Sequence, residues 1–232
     1  MKIHIVNPNS TVSMTDKIRE AALSVASPGT TIIATNPTDS PVSIEGHADE
    51  AACVPPLLRE IVAGAEAGAD AFVNACFDDP GLDACREVTD RPVVGICEAA
   101  MMAASLVAAR FSVVTTLPRA IPIVEDLAER YGYAKHCRKV RAAEIPVLAL
   151  DDPTSGAVEL TRAEVLAAAK EDGAEAVILG CAGMADLTAA LTKETGIPVI
   201  DGVAAATKFA EAIAGLGVTT SKLGAYAYPR QK

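Results

Sequence analysis

The chain has 232 residues, of which 50% are hydrophobic and 22% charged; it is long enough to build a full core without disulfides or metal, and this balance excludes a disordered or fibrous chain. Lys and Arg number 20 against 30 Asp and Glu, a net charge of −10, and the aromatic content is 3% with no Trp. Nucleic acid is therefore excluded as a partner, because both the phosphate-attracting field and the stacking platforms are missing.

Residues 3–6 read as a strand and run into Asn7-Pro8-Asn9 before the apolar stretch of a signal peptide could be complete, so a cytoplasmic chain is expected. A helix follows at 13–25 and a strand at 31–35. The next helix is expected at 56–67, with Pro55-Pro56 kinking or restarting a turn that begins near Asp49. Then come a strand at 71–75, a helix at 80–88, a strand at 92–95 and a helix at 98–109. The stretch 99–109 is the longest apolar run. Ser105 interrupts it, and it is far shorter than the ~20 residues of a membrane helix, so no membrane partner is expected. The second half reads as a strand at 111–115, a helix opened by Pro118 to 131, a strand at 136–141 and a helix at 162–171 behind a Thr161–Glu164 capping box. A strand at 176–179, a helix at 184–194, a strand at 198–200 and a helix at 203–214 complete it. Near-continuous apolar strands such as Val177-Ile178-Leu179 are those of a parallel sheet covered on both faces.

The chain also repeats itself. Gly68-Ala69-Asp70-Ala71-Phe72-Val73-Asn74-Ala75-Cys76 aligns with Gly173-Ala174-Glu175-Ala176-Val177-Ile178-Leu179-Gly180-Cys181, and both copies end in cysteine. Pro92-Val93-Val94 likewise matches Pro198-Val199-Ile200, and residues 3–11 match 111–119 in pattern. The expected fold is α/β, with two pseudo-symmetric lobes, 1–109 and 110–232, each a four-stranded, mostly parallel sheet flanked by helices. The last helix is expected to pack back on the first lobe.

Ligands of open parallel sheets bind beyond the carboxyl ends of the strands. Cys76 and Cys181 both follow such ends and lead into turns and helix starts, where backbone N–H groups stabilise a thiolate or an oxyanion. Two acid/base groups on opposite sides of a small molecule can remove a proton from one face and return one to the other. Cys53, Cys85, Cys97 and Cys137 lack a repeat partner of this kind and are read as structural. No cysteine stands at ligand spacing from another Cys or from one of the three histidines, and neither GxGxxG nor GxxxxGK[ST] occurs; no metal and no cofactor is expected. His47 and His136 are read as surface or structural residues. At the first strand end Asn7-Pro8-Asn9-Ser10-Thr11 either caps the next helix or meets ligand, and Thr115-Thr116 holds the corresponding place in the second lobe. Asp79 reads as an N-cap ahead of Pro80.

Asn7-Pro8-Asn9-Ser10-Thr11, Pro41-Val42-Ser43-Ile44-Glu45-Gly46, Ala75-Cys76-Phe77-Asp78-Asp79-Pro80-Gly81, Arg110-Phe111-Ser112-Val113-Val114-Thr115-Thr116 and Leu179-Gly180-Cys181-Ala182-Gly183-Met184 together resemble the hydantoin/allantoin racemases of the aspartate/glutamate racemase superfamily. The resemblance runs through nearly the whole chain. It implies a cofactor-independent two-base racemase, homo-oligomeric and acting on a small molecule, in which Cys76 and Cys181 correspond to the paired catalytic thiols. Asn9, Ser43, Ile44, Phe77, Thr115, Thr116, Gly180, Ala182 and Gly183 are the expected substrate contacts, with segment 40–46 closing over the cleft. The amino-acid racemases of the superfamily usually bind substrate carboxylates next to each cysteine. Here Phe77 is apolar and Asp78-Asp79 would repel an anion, which agrees with a flat, uncharged hydantoin ring. A malonate-type decarboxylase would need only one thiol, and a maleate-type isomerase would take a dicarboxylate past that acidic pair. A non-catalytic binding protein on the same scaffold is the alternative outside enzymology.

Overall fold

The computed structural model of the protein describes residues 1–152 and 154–230. Eight short strands alternate with eight helices: β1 Lys2–Val6, α1 Val12–Val25, β2 Thr31–Thr35, α2 His47–Glu66, β3 Ala71–Asn74, α3 Leu82–Val88, β4 Val93–Gly95, α4 Ile96–Val107, β5 Phe111–Thr115, α5 Ile121–Arg130, β6 Cys137–Ala142, α6 Ala157–Glu171, β7 Ala176–Leu179, α7 Thr188–Thr195, β8 Val199–Asp201 and α8 Gly202–Gly215. The strands make two four-stranded sheets, ordered β2-β1-β3-β4 and β6-β5-β7-β8, with every pairing parallel. The second sheet repeats the order of the first, so the duplication read from sequence is a duplication of topology. Among the described residues no helix is long and apolar enough to cross a membrane.

Strands β3, β5 and β7 are buried at every position, as sheets covered on both faces require. The largest buried cluster runs through both sheets: Ile3, Ile5 and Val73 from the first, Phe111, Val113 and Ile178 from the second, with Ala100, Met101, Val203, Ala206 and Ala210 between them. Those five belong to α4 and α8, which pack on each other. Helix α4, though it follows the first sheet, also packs on β7 and β8, while α8 packs on β3 and β4. This exchange holds the strand ends of the two sheets in one place.

Two helix starts differ from the sequence reading by five residues or more. Helix α2 runs unbroken from His47 through Pro55 and Pro56. The carbonyls that lose their donors to these prolines belong to Ala51 and Ala52, both exposed, where water satisfies them, while Cys53, Pro56, Leu57 and Ile61 form a buried stripe that holds the helix together. Helix α6 begins at Ala157, five residues before the expected start, because Gly156 takes a left-handed turn and Ser155 Oγ accepts from Ala157 N at 3.2 Å. Thr161 is thereby placed inside the helix, buried, and its hydroxyl has no partner among the described residues.

Candidate active site

The turn after β3 and the turn after β7 are built alike. Ala75 N donates to Val6 O at 2.9 Å and Gly180 N to Val114 O at 2.8 Å, each extending a parallel ladder by one residue. One residue on, Asp79 N donates to Cys76 O at 3.0 Å and Met184 N to Cys181 O at 3.1 Å, closing equivalent turns. Within each turn the backbone N–H two residues after the cysteine, that of Asp78 or of Gly183, faces the thiol and favours its charged form. Gly180 allows a close approach, because a Cβ there would lie 3.0 Å from Val113 and 3.1 Å from the β5 backbone. Asn74 fixes the first turn from below: its side-chain N–H donates to Pro80 O at 2.9 Å.

Asp79 caps a different helix from the one expected. Its carboxylate accepts from Cys97 N at 3.2 Å, Glu98 N at 2.9 Å and the Tyr131 hydroxyl at 2.8 Å, so it caps α4 and not α3. The backbone of Asp79 sits at φ +43°, which turns the side chain back under the loop. Gly95 makes room for it, since a Cβ there would stand 2.4 Å from the carboxylate. Asp79 is buried and does not line the cavity. Asp78 does line it.

Cys76 and Cys181, both half-buried, line one cavity between the two sheets. Asn9, Ile44, Phe77, Thr115, Thr116, Gly180, Ala182 and Gly183 line it with them. Ser43 does not. It lies next to Ile44 on a segment pinned to the β1 loop, where Ser10 N donates to Pro41 O at 2.9 Å and Thr11 Oγ1 to Val42 O at 2.6 Å. Sequence reasoning missed Glu45 and Val147, which are in the lining with Asn7 of the β1 loop and Asp78 of the acidic pair. Glu45 and Val147 come from opposite halves of the chain and meet over the cavity, Val147 N donating to Glu45 Oε1 at 2.9 Å. No periodicity marks such a loop-to-loop contact; the signal available was Glu45 inside the quoted 41–46 motif.

The polar groups of the β1 loop serve the fold and the cavity together. Asn7 Nδ2 donates to Asn9 Oδ1 at 2.9 Å and to Thr15 Oγ1 at 3.0 Å, and Asn9 Oδ1 accepts from Thr11 N at 2.9 Å at the approach to α1. The histidines stay out of the lining: His47 Nδ1 pairs with Glu50 at 3.0 Å and His136 Nδ1 with Ala109 O at 3.0 Å. Cys53, Cys85, Cys97 and Cys137 are likewise outside it.

Burial pushes both cavity thiols up. For Cys76 the nearby Asp78 carboxyl adds to the rise, and the Asp78 N–H opposes it; Cys181 reaches about 11, held down in part by the Gly183 N–H. Both therefore rest as thiols at neutral pH. Iodoacetamide should modify them slowly at pH 7 and about tenfold faster with each added pH unit up to pH 10. Loss of activity should track that modification, while exhaustive dialysis against a chelator leaves activity intact; activity lost to the chelator and restored by metal would contradict this reading.

Residues 3–210 match the Asp/Glu/hydantoin racemase family. The chain is 57% identical over its whole length to the hydantoin racemase of Rhizobium meliloti, covering 96% of that protein. Among solved structures, the allantoin racemase from Klebsiella pneumoniae superposes with a TM-score of 0.98 at 48% identity, covering 100% of this chain and 95% of that one. The allantoin racemase from Pseudomonas fluorescens superposes with a TM-score of 0.95 at 38% identity, over 100% and 98%.

Proposed function

The chain belongs to the Asp/Glu/hydantoin racemase family and is a racemase; from that premise we propose that it inverts C5 of 5-substituted hydantoins, with allantoin as the natural substrate, by a two-base mechanism that needs no cofactor. The observation that carries this is the pair of cysteines, Cys76 and Cys181, at matching positions of matching turns and lining one cavity. The two halves, 1–109 and 110–232, act as lobes that each bring one thiol to it.

In this mechanism one cysteine, as thiolate, takes the C5 proton, and the C–H electron pair passes into the ring as an enolate with its charge on the C4 oxygen. The other cysteine, as thiol, returns a proton to the opposite face of C5. The enantiomer bound decides which does which. A thiolate is too weak a base for this proton unless the site stabilises the enolate. The Ala182 backbone N–H and the Thr116 hydroxyl are the groups assigned to that task, with Ile44 and Phe77 as the apolar walls. Among the described residues no Lys, Arg or His lines the cavity, and two carboxyl groups, Asp78 and Glu45, do. That lining favours a neutral ring rich in N–H groups over a dicarboxylate.

Polarimetry on the purified protein with a single enantiomer of allantoin, and separately of a 5-alkylhydantoin, tests the reading. Rotation should decay to zero with no change in composition. Stable rotation with both substrates, or loss of carbon dioxide, would contradict it.

A further inference from the structure

The cavity is short of free hydrogen-bond donors. Asn7 spends its amide on Asn9, Thr11 and Thr15; Asn9 Nδ2 donates to the Met14 sulfur at 3.3 Å; the Thr115 hydroxyl donates to Gly180 O at 3.3 Å. The N–H groups of Asp78 and Gly183 are directed at the two sulfurs. Two side chains in the lining are different, that of Thr116, whose hydroxyl makes no hydrogen bond with any described residue, and that of Asp78. The Asp78 carboxyl makes no hydrogen bond with any described residue, although it is largely withdrawn from solvent, and its counterpart in the other turn is Gly183. The repeat is thus broken on the residue whose N–H faces each thiol, where one turn carries a carboxyl and the other no side chain.

We propose that Asp78 is a catalytic residue of this site, a neutral carboxylic acid that donates a hydrogen bond to the oxygen on which negative charge gathers when the ring carbon loses its proton. The proposal rests on the racemase reading above. Every neighbour but one favours the protonated form: Glu50 and Cys53 on α2, Glu45 across the cavity, and the thiols of Cys76, Cys97 and Cys181 carry negative charge or acquire it, and only exposed His47 opposes them. Burial acts in the same direction and, with Glu50, lifts the carboxyl to about 7. A thiolate and an enolate in the same cavity lift it further, so the acid keeps its proton while charge develops. The proton balance is unchanged: one thiolate gains the C5 proton, one thiol gives its own to C5, and Asp78 begins and ends protonated. A carboxylate in its place would repel the enolate.

The test compares Asp78→Ala, Asp78→Asn and wild type by kcat and KM on one hydantoin enantiomer and by the pH dependence of kcat/KM. Loss of one oxyanion donor lowers kcat by about 10²–10³, so Asp78→Ala should lose that factor with KM within about threefold. Asp78→Asn, which keeps a neutral donor, should recover at least about a tenth of wild-type kcat. Above pH 7 wild type gains thiolate but loses the acid, whereas Asp78→Asn gains only thiolate. The ratio of Asp78→Asn to wild-type kcat/KM should therefore rise about tenfold per pH unit from 7 to 9. The ratio cancels any ionisation of the substrate, and a residue with a purely structural role would leave it flat. Folding is checked by Tm. The native carboxyl binds its proton more tightly than the unfolded one, so wild type loses stability between about pH 4 and 7, and Asp78→Asn, free of that loss, should melt no lower than wild type at pH 8. Wild-type kcat in Asp78→Ala, or a flat ratio, overturns the proposal while the racemase reading stands. A wild-type protein that inverts no hydantoin overturns both.

Discussion

Replacing either Cys76 or Cys181 by serine should lower racemisation by roughly 10³-fold or more while the protein still folds. The substitution keeps the side chain's size, and both positions are half-buried at the cavity wall and not in the packed core, so Tm should move by no more than about 2–3 °C. The chemistry is far less tolerant. Burial already lifts both thiols, Cys181 to about 11; an alcohol in the same buried turn is several units less acidic again and supplies no base at neutral pH. The two variants should fail equally, because inversion needs both a base and an acid. Either variant retaining a tenth of wild-type racemisation would mean that one face has another proton donor or acceptor. Mixing the two variants should restore nothing, since both thiols of one cavity come from the same chain.

A large loss of stability is expected for Gly95→Ala. The added Cβ would stand 2.4 Å from the Asp79 carboxylate, inside a turn where Asp79 already serves Cys97 N, Glu98 N and Tyr131. The carboxylate cannot retreat without releasing the N-terminus of α4 and stranding the Tyr131 hydroxyl, and Gly95 cannot retreat without leaving its pairing with Asn74. Overpacking and the lost cap together cost about 2–4 kcal/mol, which for a chain of this length lowers Tm by roughly 5–12 °C. The turn that carries Cys76 hangs from the same carboxylate, so kcat should fall as well. An unchanged Tm would show that the loop of residues 76–81 is held by other means.

The fold was legible because its signals are local and doubled. Short runs of β-branched and apolar residues marked all eight strands, and the matching segments that end in Cys76 and Cys181 marked two copies of one topology. Helix starts were less legible. Pro55-Pro56 reads as a break, yet the helix passes through because its two orphaned carbonyls face water; Thr161-Arg162-Ala163-Glu164 reads as a start, yet Ser155 and Gly156 provide an earlier one. The role of Asp79 was hidden because its partners lie on a helix that begins 17 residues later and on Tyr131, in the other half of the chain. Glu45 and Val147 were hidden for the same reason: a cavity between two sheets is lined by loops that no sequence periodicity brings together. What sequence did mark was the asymmetry of the cysteine turns, Phe77-Asp78 against Ala182-Gly183, on which the inference about Asp78 depends.

The central claim is that Cys76 and Cys181 serve opposite faces of one carbon, and deuterium exchange in the two serine variants tests it most directly. Each variant keeps one thiol, which can still remove and return the proton on its own face without inverting the centre. In deuterated water, with enantiopure 5-substituted hydantoin followed by proton NMR and chiral chromatography, Cys76→Ser and Cys181→Ser should each incorporate deuterium at C5 of one enantiomer only, with configuration retained, and the two should select opposite enantiomers. Exchange of the same enantiomer by both variants, or inversion by either, would contradict the claim.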